Sequence, residues 1–502
     1  MRLDYVVNGI KILKKIGELD CHISGLSSDS RKIKEGYLFV AVKGSHQDGH
    51  NYLSHAVNKG ARVLAVEDVK KTFKGVTTVK LADTREALSR MAARFYDYPH
   101  KGIDLIGITG TNGKTTTSYL AESILKAFGK KTGVIDTVDY RYDGNSVRSS
   151  LTTPDPVDLM RIIREMKDGG VNSIIIEVSS HSLEQGRTRE LSWKRALFTN
   201  FSRDHLDYHL TMDEYFKSKS LLFRYLGDGE SNTMPKAVIN MDDPKGEALK
   251  EITKVPVVSY GLGDDCMIRA DNIESGEKGL NFRLITPAGN TVITSALLGD
   301  INVYNILAAA AVAYSLEIDL KTISEGIGYL ALVPGRLQPV DNKKGFSIFV
   351  DYAHTPDAME KTLKTLKKVK RGRLVTVFGC GGERDKGKRL EMGRVAGRFS
   401  DFVIITSDNP RGEDPHTIIN DIQPGVKETI SISEGHALSS INRGYNILAD
   451  RKEAINAAIN MIGRGDIVLI AGKGHEDYQV IGNRRIYFND VEEAFRAVEK
   501  MG

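Results

Sequence analysis

Residues Leu105-Ile-Gly-Ile-Thr-Gly-Thr-Asn-Gly-Lys-Thr-Thr-Thr117 constrain the fold more than any other stretch: an apolar run enters a glycine-rich turn that ends in Lys-Thr and continues into a helix. Strand, glycine turn and helix in that order build a phosphate cradle. Gly110 and Gly113 let backbone N–H groups point inward, Lys114 supplies a mobile cation for the β- and γ-phosphates, and Thr115 a hydroxyl for Mg²⁺. The helix, expected over Lys114 to Phe128, aims its positive end at the same anion. Position 108, where the common P-loop has its first glycine, is Ile108, so this loop is a shorter variant. Nucleoside triphosphate binding is the first expectation.

A chain of 502 residues is too long for one core, and roughly 150 residues per domain suggests about three. The 70 basic and 65 acidic side chains nearly cancel and are scattered, which argues against a nucleic-acid binder and makes any anion site a local pocket. Cys21, Cys266 and Cys380 lie far apart with no zinc or disulfide spacing, as suits a reducing cytoplasm. No signal peptide is expected at the N-terminus, and no apolar stretch approaches the ~20 residues a membrane span needs.

Residues 1–98 read as a small mixed α/β unit with strands at Tyr37–Val42 and Ala61–Val66, a hydroxyl-rich Leu26-Ser-Ser-Asp-Ser-Arg31 loop and a helix from Arg85 to Tyr96. Residues 99–334 alternate buried strands with amphipathic helices, the pattern of a parallel sheet with crossover helices. Its strand at 172–181 ends in Glu177, two serines and His181, where open α/β sheets bind ligands. Thr199 to His209 packs two histidines, two aspartates and an arginine into one turn, and His205 beside Asp204 and Asp207 suggests a metal or phosphate role. The helix from Asp213 to Tyr225 carries Lys217 and Lys219. Asn302 and Asn305 share one face of an alanine-rich helix, so Asn305 either reads an adenine edge or caps a turn. Val333-Pro-Gly-Arg336 is a turn at a domain junction.

From 335 to 502 a second doubly wound sheet is expected, with strands at Phe346–Tyr352, Leu374–Phe378, Phe402–Thr406 and Ile467–Ala471. Charged clusters follow each strand: Asp351-Tyr-Ala-His354, Gly379-Cys-Gly-Gly-Glu-Arg-Asp385, Ser407-Asp-Asn-Pro-Arg411 and Gly472-Lys-Gly-His-Glu476. Four such clusters at successive strand ends point to a substrate crevice facing the ATP domain.

Together Thr109–Thr116, Glu177–His181, Asn200–His209, Asp351–Pro356 and Gly472–Gln479 resemble, in order and over nearly the whole chain, the signatures of the Mur ligases of bacterial cell-wall synthesis. The short P-loop is also what that family has. The resemblance implies an α/β protein of three domains: an N-terminal one for a uridine nucleotide, a central ATPase and a C-terminal Rossmann-like one for an amino acid. It implies a cytoplasmic, monomeric, ATP-dependent amide ligase whose partners are small molecules: ATP, a UDP-muramoyl dipeptide and meso-diaminopimelate.

The same resemblance assigns Gly110, Thr111, Asn112, Gly113, Lys114, Thr115 and Thr116 to ATP, with Asn305, Arg336 and Asp351 reaching the nucleoside and phosphates across a cleft. Thr115 and Glu177 would hold one Mg²⁺. Lys219 aligns with the lysine these enzymes carry as a carbamate, which would bind a second Mg²⁺ with His205. Ser28, Ser30, Ser45, His46 and Gln47 match positions for the uridine end, and Thr152, Thr153, Ser179, Gln185 and Arg187 those for the muramoyl dipeptide. Asp408-Asn409-Pro410-Arg411 resembles the tetrad of diaminopimelate-adding members, with Arg384, Gly472 and Glu476 completing the site. Addition of L-lysine, a folylpolyglutamate synthetase and a nucleotide-binding scaffold without chemistry are the alternatives. The full N-terminal domain and the tetrad disfavour the first two, and the intact Lys114, Glu177, His205 and Lys219 the last.

Overall fold

Three sheets organise the chain in the computed structural model, which describes residues 1–44, 47–228, 234–430 and 443–501. The first has the strand order Ile12–Ile16, Thr77–Leu81, Ala61–Val66, Tyr37–Val40 and Gly25–Ser27, with only Ile12–Ile16 antiparallel. The helix Thr84–Phe95 begins where the Asp83 carboxylate accepts the Arg85 and Glu86 N–H groups. It packs against the helix Pro156–Asp168 of the next layer, so the first sheet is docked beside the second.

The second sheet runs Val257–Tyr260, Lys236–Asn240, Arg195–Phe198, Asp104–Thr109, Ser173–Glu177, Thr132–Ile135, Asp139–Tyr142 and Asn145–Arg148. Its first six strands are parallel and the last two form an antiparallel hairpin. Asp104–Thr109 has Ser173–Glu177 on one side and Arg195–Phe198 on the other, so the strand order reverses beside it. That switch opens a crevice at the carboxyl ends, where Gly110, Glu177 and Thr199 gather. The crossover pattern expected through residue 334 stops earlier: Arg269–Gly276, Gly279–Thr286 and Gly289–Ser295 make a separate antiparallel sheet. Leu280, Phe282 and Leu284 alternate onto one face, which is buried with Ile293 against the helix Ile301–Ser315.

The third sheet has the order Gln338–Pro339, Ser347–Asp351, Ile467–Ala471, Leu374–Phe378, Phe402–Ile405 and Gly444–Ile447, parallel except for its first strand. The four strands expected from sequence are all there, and Gln338–Pro339 and Gly444–Ile447, one at each edge, are additions. A hairpin of Tyr478–Ile481 and Arg484–Tyr487 stands over the carboxyl ends. Among the described residues no helix is long and apolar enough to cross a membrane.

Candidate active site

The loop after Asp104–Thr109 is held by its neighbour strand's continuation. Thr111 N–H donates to the Asn200 carbonyl at 2.8 Å, Asn112 N–H to Asn200 Oδ1 at 2.9 Å, and Thr199 Oγ1 to the Asn112 carbonyl at 2.7 Å. A Cβ on Gly110, whose φ is 142°, would sit 1.9 Å from Thr199 Oγ1, so the approach requires glycine. Gly113 precedes the helix Lys114–Ala127 and backs onto Asn305 Oδ1. Asn305 in turn donates to Asn302 Oδ1 at 2.7 Å, so its position behind the loop is set by the helix face that the two asparagines share. Thr116 is buried in the helix's first turn.

Lys114 folds back onto the loop, donating to the Gly110 and Thr111 carbonyls at 3.1 and 2.9 Å. Burial lowers its pKa, while Glu177 and Asp204 work against that shift. Thr115 Oγ1 accepts from Arg336 at 2.9 Å, a bond from the junction turn to the phosphate loop, and the Arg336 guanidinium lies 4.6 Å from the Tyr352 ring centroid. Asp351 is buried and spends its carboxylate on the Leu337 and Ala353 N–H groups, at 2.6 and 2.8 Å. It shapes the cleft wall just behind Arg336.

Glu177 closes the adjacent strand, fully buried. Its Oε2 accepts from Thr137 Oγ1 at 2.8 Å, whereas Oε1 is buried without a hydrogen-bond partner. Such an orphaned carboxylate oxygen beside a phosphate loop suits a cation. Among the described residues no group of three or more His, Cys, Asp or Glu side chains could hold a metal ion. Magnesium fits that arrangement, since it commonly uses one or two carboxylates and completes its shell with substrate phosphates and water.

Lys219 is 2% exposed, on the helix Met212–Arg224. Its Nζ donates to the Gly110 carbonyl at 2.8 Å and lies 4.5 Å from the Tyr215 ring centroid. Burial first, and the Lys114 charge second, drive its pKa well below the ordinary lysine value, which favours the neutral amine. His205 stands in the left-handed region at φ 55°, with its Nε2 3.4 Å from Asp204 Oδ2. His354 approaches the same Asp204 oxygen at 4.0 Å. Burial pushes His181 and His354 down to about 4, leaving both neutral near pH 7.

Two clefts meet here. The nucleotide cleft contains the loop, Glu177, Lys219, Asn305, Arg336 and Asp351. The second, about 330 Å³, contains Arg384, Asp408, Asn409, Arg411, Gly472 and Glu476. Both are lined by Thr137, Thr152, Asp204, His205, Tyr352 and His354. Of these, Thr137, Tyr352 and His354 were given no role by the sequence. His354 ends a quoted strand-end cluster, which was a usable signal; nothing marked Thr137.

Within the second cleft Arg411 is left-handed at φ 54°, fixed by Arg411 N–H to the Val480 carbonyl at 2.9 Å and by Arg411 Nη1 to the Gly382 carbonyl at 2.7 Å. The Pro410 carbonyl takes the Glu413 N–H at 3.0 Å and closes the turn. No carboxylate hydrogen-bonds or ion-pairs with Arg411 among the described residues. Asn409 Nδ2 donates to Glu476 Oε2 at 2.8 Å. Gly472 has φ 113°, and a Cβ there would stand 2.5 Å from Asp408 Oδ2. Arg384 is half exposed, 4.0 Å from Asp207.

A third groove, between the first and second sheets, is lined by Ser28, Arg85, Leu151, Gln185, Arg187 and Tyr208, and Leu151 also lines the amino-acid-sized cleft. Arg187 is oriented by Gln185 Oε1 at 2.6 Å and the Thr153 carbonyl at 2.8 Å. Thr153 Oγ1 accepts the Ser179 N–H at 3.0 Å, and Ser179 caps the short helix that follows. The Thr152 and Thr137 hydroxyls hydrogen-bond with each other at 3.2 Å. Ser30 hydrogen-bonds with His55 at 3.0 Å, and Gln47 accepts from Tyr52 at 3.1 Å. Ser45 and His46 lie outside the described residues.

A phosphate loop that opens onto a charged, amino-acid-sized cleft at the junction of two α/β layers defines an ATP-using carboxylate–amine ligase. The chain belongs to the Mur ligase family. Family models described as the Mur ligase middle domain, the glutamate ligase domain and the Mur ligase catalytic domain match residues 108–313, 335–474 and 22–96. The UDP-N-acetylmuramoyl-L-alanyl-D-glutamate–2,6-diaminopimelate ligase of Geobacter metallireducens is 44% identical, with 100% of both chains covered. The enzyme of the same name from Bacillus licheniformis is 42% identical over 96% of each chain. A solved structure of a ligase of that name superposes with a TM-score of 0.67 at 31% identity, covering 100% of this chain and 99% of the other.

Proposed function

We propose that this chain uses ATP to join meso-2,6-diaminopimelate to the D-glutamyl side-chain carboxylate of UDP-N-acetylmuramoyl-L-alanyl-D-glutamate, in peptidoglycan precursor synthesis. Full-length identity to ligases of that name supports the reaction. The observation that carries the site reading is the meeting of the nucleotide and amino-acid clefts at Asp204, His205 and His354. The chain divides in this reading into residues 1–98 for the uridine nucleotide, 99–334 for ATP and 335–502 for the amino acid.

A carboxylate resists attack by an amine, so it must first acquire a leaving group. A D-glutamyl carboxylate oxygen attacks the γ-phosphorus, the bond to the β-phosphate oxygen breaks, and ADP departs. The diaminopimelate amine then attacks the acyl carbon, loses a proton, and phosphate leaves as the amide forms. Gly110 to Thr116 hold the phosphates, with Lys114 swinging from its loop carbonyls to the β/γ oxygens, where its charge offsets that of the transferring group. Asn305, Arg336 and Asp351 form the far wall. Thr115 and the open Glu177 oxygen would hold Mg²⁺, which when bound neutralises phosphate charge. Burial favours the neutral form of Lys219, which can add CO₂ with loss of a proton, and the resulting carbamate would offer, with His205, an anionic place for a second Mg²⁺.

Ser28, Ser30, Ser45, His46 and Gln47 are assigned to the uridine end in this reading, and Thr152, Thr153, Ser179, Gln185 and Arg187 to the muramoyl dipeptide, whose carboxylate reaches the junction past Leu151. Arg411 and Arg384 receive the distal carboxylate of diaminopimelate, and Asp408 and Glu476 its ammonium, with Asn409 holding Glu476 in place. Mass spectrometry of the product made from the UDP-dipeptide, ATP and an equimolar mixture of candidate amino acids tests the reading. A product carrying diaminopimelate is expected; a product carrying lysine or glutamate overturns it.

A further inference from the structure

Behind the wall of the amino-acid cleft, next to Gly472 and Glu476, lies a charge that the reaction above does not use. Lys473, between Gly472 and Gly474, is 0% exposed. Its Nζ donates to Asn409 Oδ1 at 3.3 Å and to Glu476 Oε2 at 3.2 Å, and the Tyr478 ring centroid is 5.4 Å away. Asn409 Oδ1 also accepts the Val480 N–H at 2.9 Å, so its carboxamide is locked with Nδ2 turned to Glu476. Glu476 Oε2 therefore has two donors, from Lys473 and Asn409. Its Oε1 has no hydrogen-bond partner among the described residues, and Glu476 lines the cavity.

A buried lysine ammonium requires compensation, and a carboxylate brought into the same low-dielectric place requires it equally. Here each supplies the other's need. We propose that Lys473 is a positioning residue for the incoming amino acid: its ammonium clamps Glu476 Oε2 and the Asn409 carboxamide, keeping Glu476 ionised with Oε1 aimed at the substrate's ammonium. This rests on the amino-acid assignment made above and adds a residue that touches the substrate only through others. The groups facing Glu476 are Lys473, Asp408, Arg451, Tyr352 and Tyr478. Burial raises its pKa, and Lys473 is the strongest influence in the opposite direction. Arg451 is already committed to Asp490 at 2.7 Å, so it does not replace Lys473.

The test compares Lys473→Met, Glu476→Gln and the double variant, following kcat/KM for meso-diaminopimelate against pH and KM for ATP and the UDP-dipeptide. In Lys473→Met the diaminopimelate KM should rise about 10-fold or more, as expected when one partner of a buried pair is removed. The KM values for ATP and the UDP-dipeptide should change little. The acid limb of the profile should move to higher pH, because Glu476 without Lys473 holds its proton longer. Glu476→Gln should lack that limb, and the double variant should match Glu476→Gln alone. A limb left at its wild-type position, or losses that simply multiply in the double variant, would overturn the proposal by showing that Lys473 only supports the fold. If Lys473→Met fails to bind the UDP-dipeptide in calorimetry, the double variant, which leaves no unpaired charge, decides by the same equality. A normal diaminopimelate KM in Glu476→Gln would instead overturn the amino-acid assignment itself.

Discussion

Lys219 shows how far a side chain's meaning depends on its surroundings. In sequence it is one of two lysines on a helix, and Lys217, 68% exposed, is the ordinary solvated one. Lys219 differs only by position, two residues on and therefore on the opposite, buried face, where it meets the Gly110 carbonyl. Replacing it by Ala should lower turnover by about 100-fold or more, as loss of a group that stabilises charge in the transition state does. Short carboxylates such as formate or acetate should restore part of that rate, and rescue by amines instead would mean that the lysine acts as a cation. Lys114→Ala should suppress ADP release to a similar degree while calorimetry still shows UDP-dipeptide binding, because the loop touches only the nucleotide cleft. ADP release within a few fold of wild type would contradict the loop's role. That Lys114 and Glu177 share one cleft was legible because their neighbours in sequence form the motif. Thr137 was not, since its value lies in one hydrogen bond to Glu177 across 40 residues.

Elements were more legible than their connections. Buried strands announce themselves as apolar runs ending in polar residues: Leu374–Phe378 lies where it was expected, whereas the strand expected over 172–181 stops at Glu177, because Ser179 caps a helix that takes in Ser180 and His181. The antiparallel sheet from Arg269 to Ser295 was missed although Leu280, Phe282 and Leu284 alternate, because the expectation of a crossover pattern was carried past its end. Turns carried the site: His205 and Arg411 both adopt left-handed backbone without being glycine, a conformation that persists where surrounding contacts impose it. Gly472 is the converse case, a position that admits no side chain beside Asp408. Gly472→Ala should therefore destabilise the protein by roughly 1–3 kcal/mol and raise the diaminopimelate KM while leaving the ATP KM near wild type. Thermal melts and initial-rate kinetics check this, and an unchanged amino-acid KM would show that Asp408 does not face the substrate.

Across the whole molecule, many of the contacts that join the second and third layers are polar and partly exposed, among them Arg336 to Thr115, Asn112 to Asp357 at 2.9 Å, Arg148 to the His475 carbonyl at 2.8 Å, and Lys368 to Asp300. Exposed ion pairs are each worth about 0–1 kcal/mol, so ligands bridging the cleft must supply much of what holds it closed. Arg336→Ala should accordingly weaken ATP binding by about 10-fold, the loss expected for one charge-assisted hydrogen bond, without affecting the UDP-dipeptide; equal weakening of both would indicate a general loss of fold. The central claim concerns what the assembled cleft selects. Diaminopimelate differs from lysine by a distal carboxylate, which a guanidinium meets with two parallel hydrogen bonds, whereas lysine would leave the half-buried Arg411 without a carboxylate partner, at a cost of roughly 2–3 kcal/mol. The most direct measurement is kcat/KM for meso-diaminopimelate and for L-lysine in the wild type and in Arg411→Ala. The wild type should prefer diaminopimelate by about 30-fold or more, and Arg411→Ala should lose diaminopimelate turnover far more than lysine turnover; equal proportional losses, or a wild type that prefers lysine, would contradict the account.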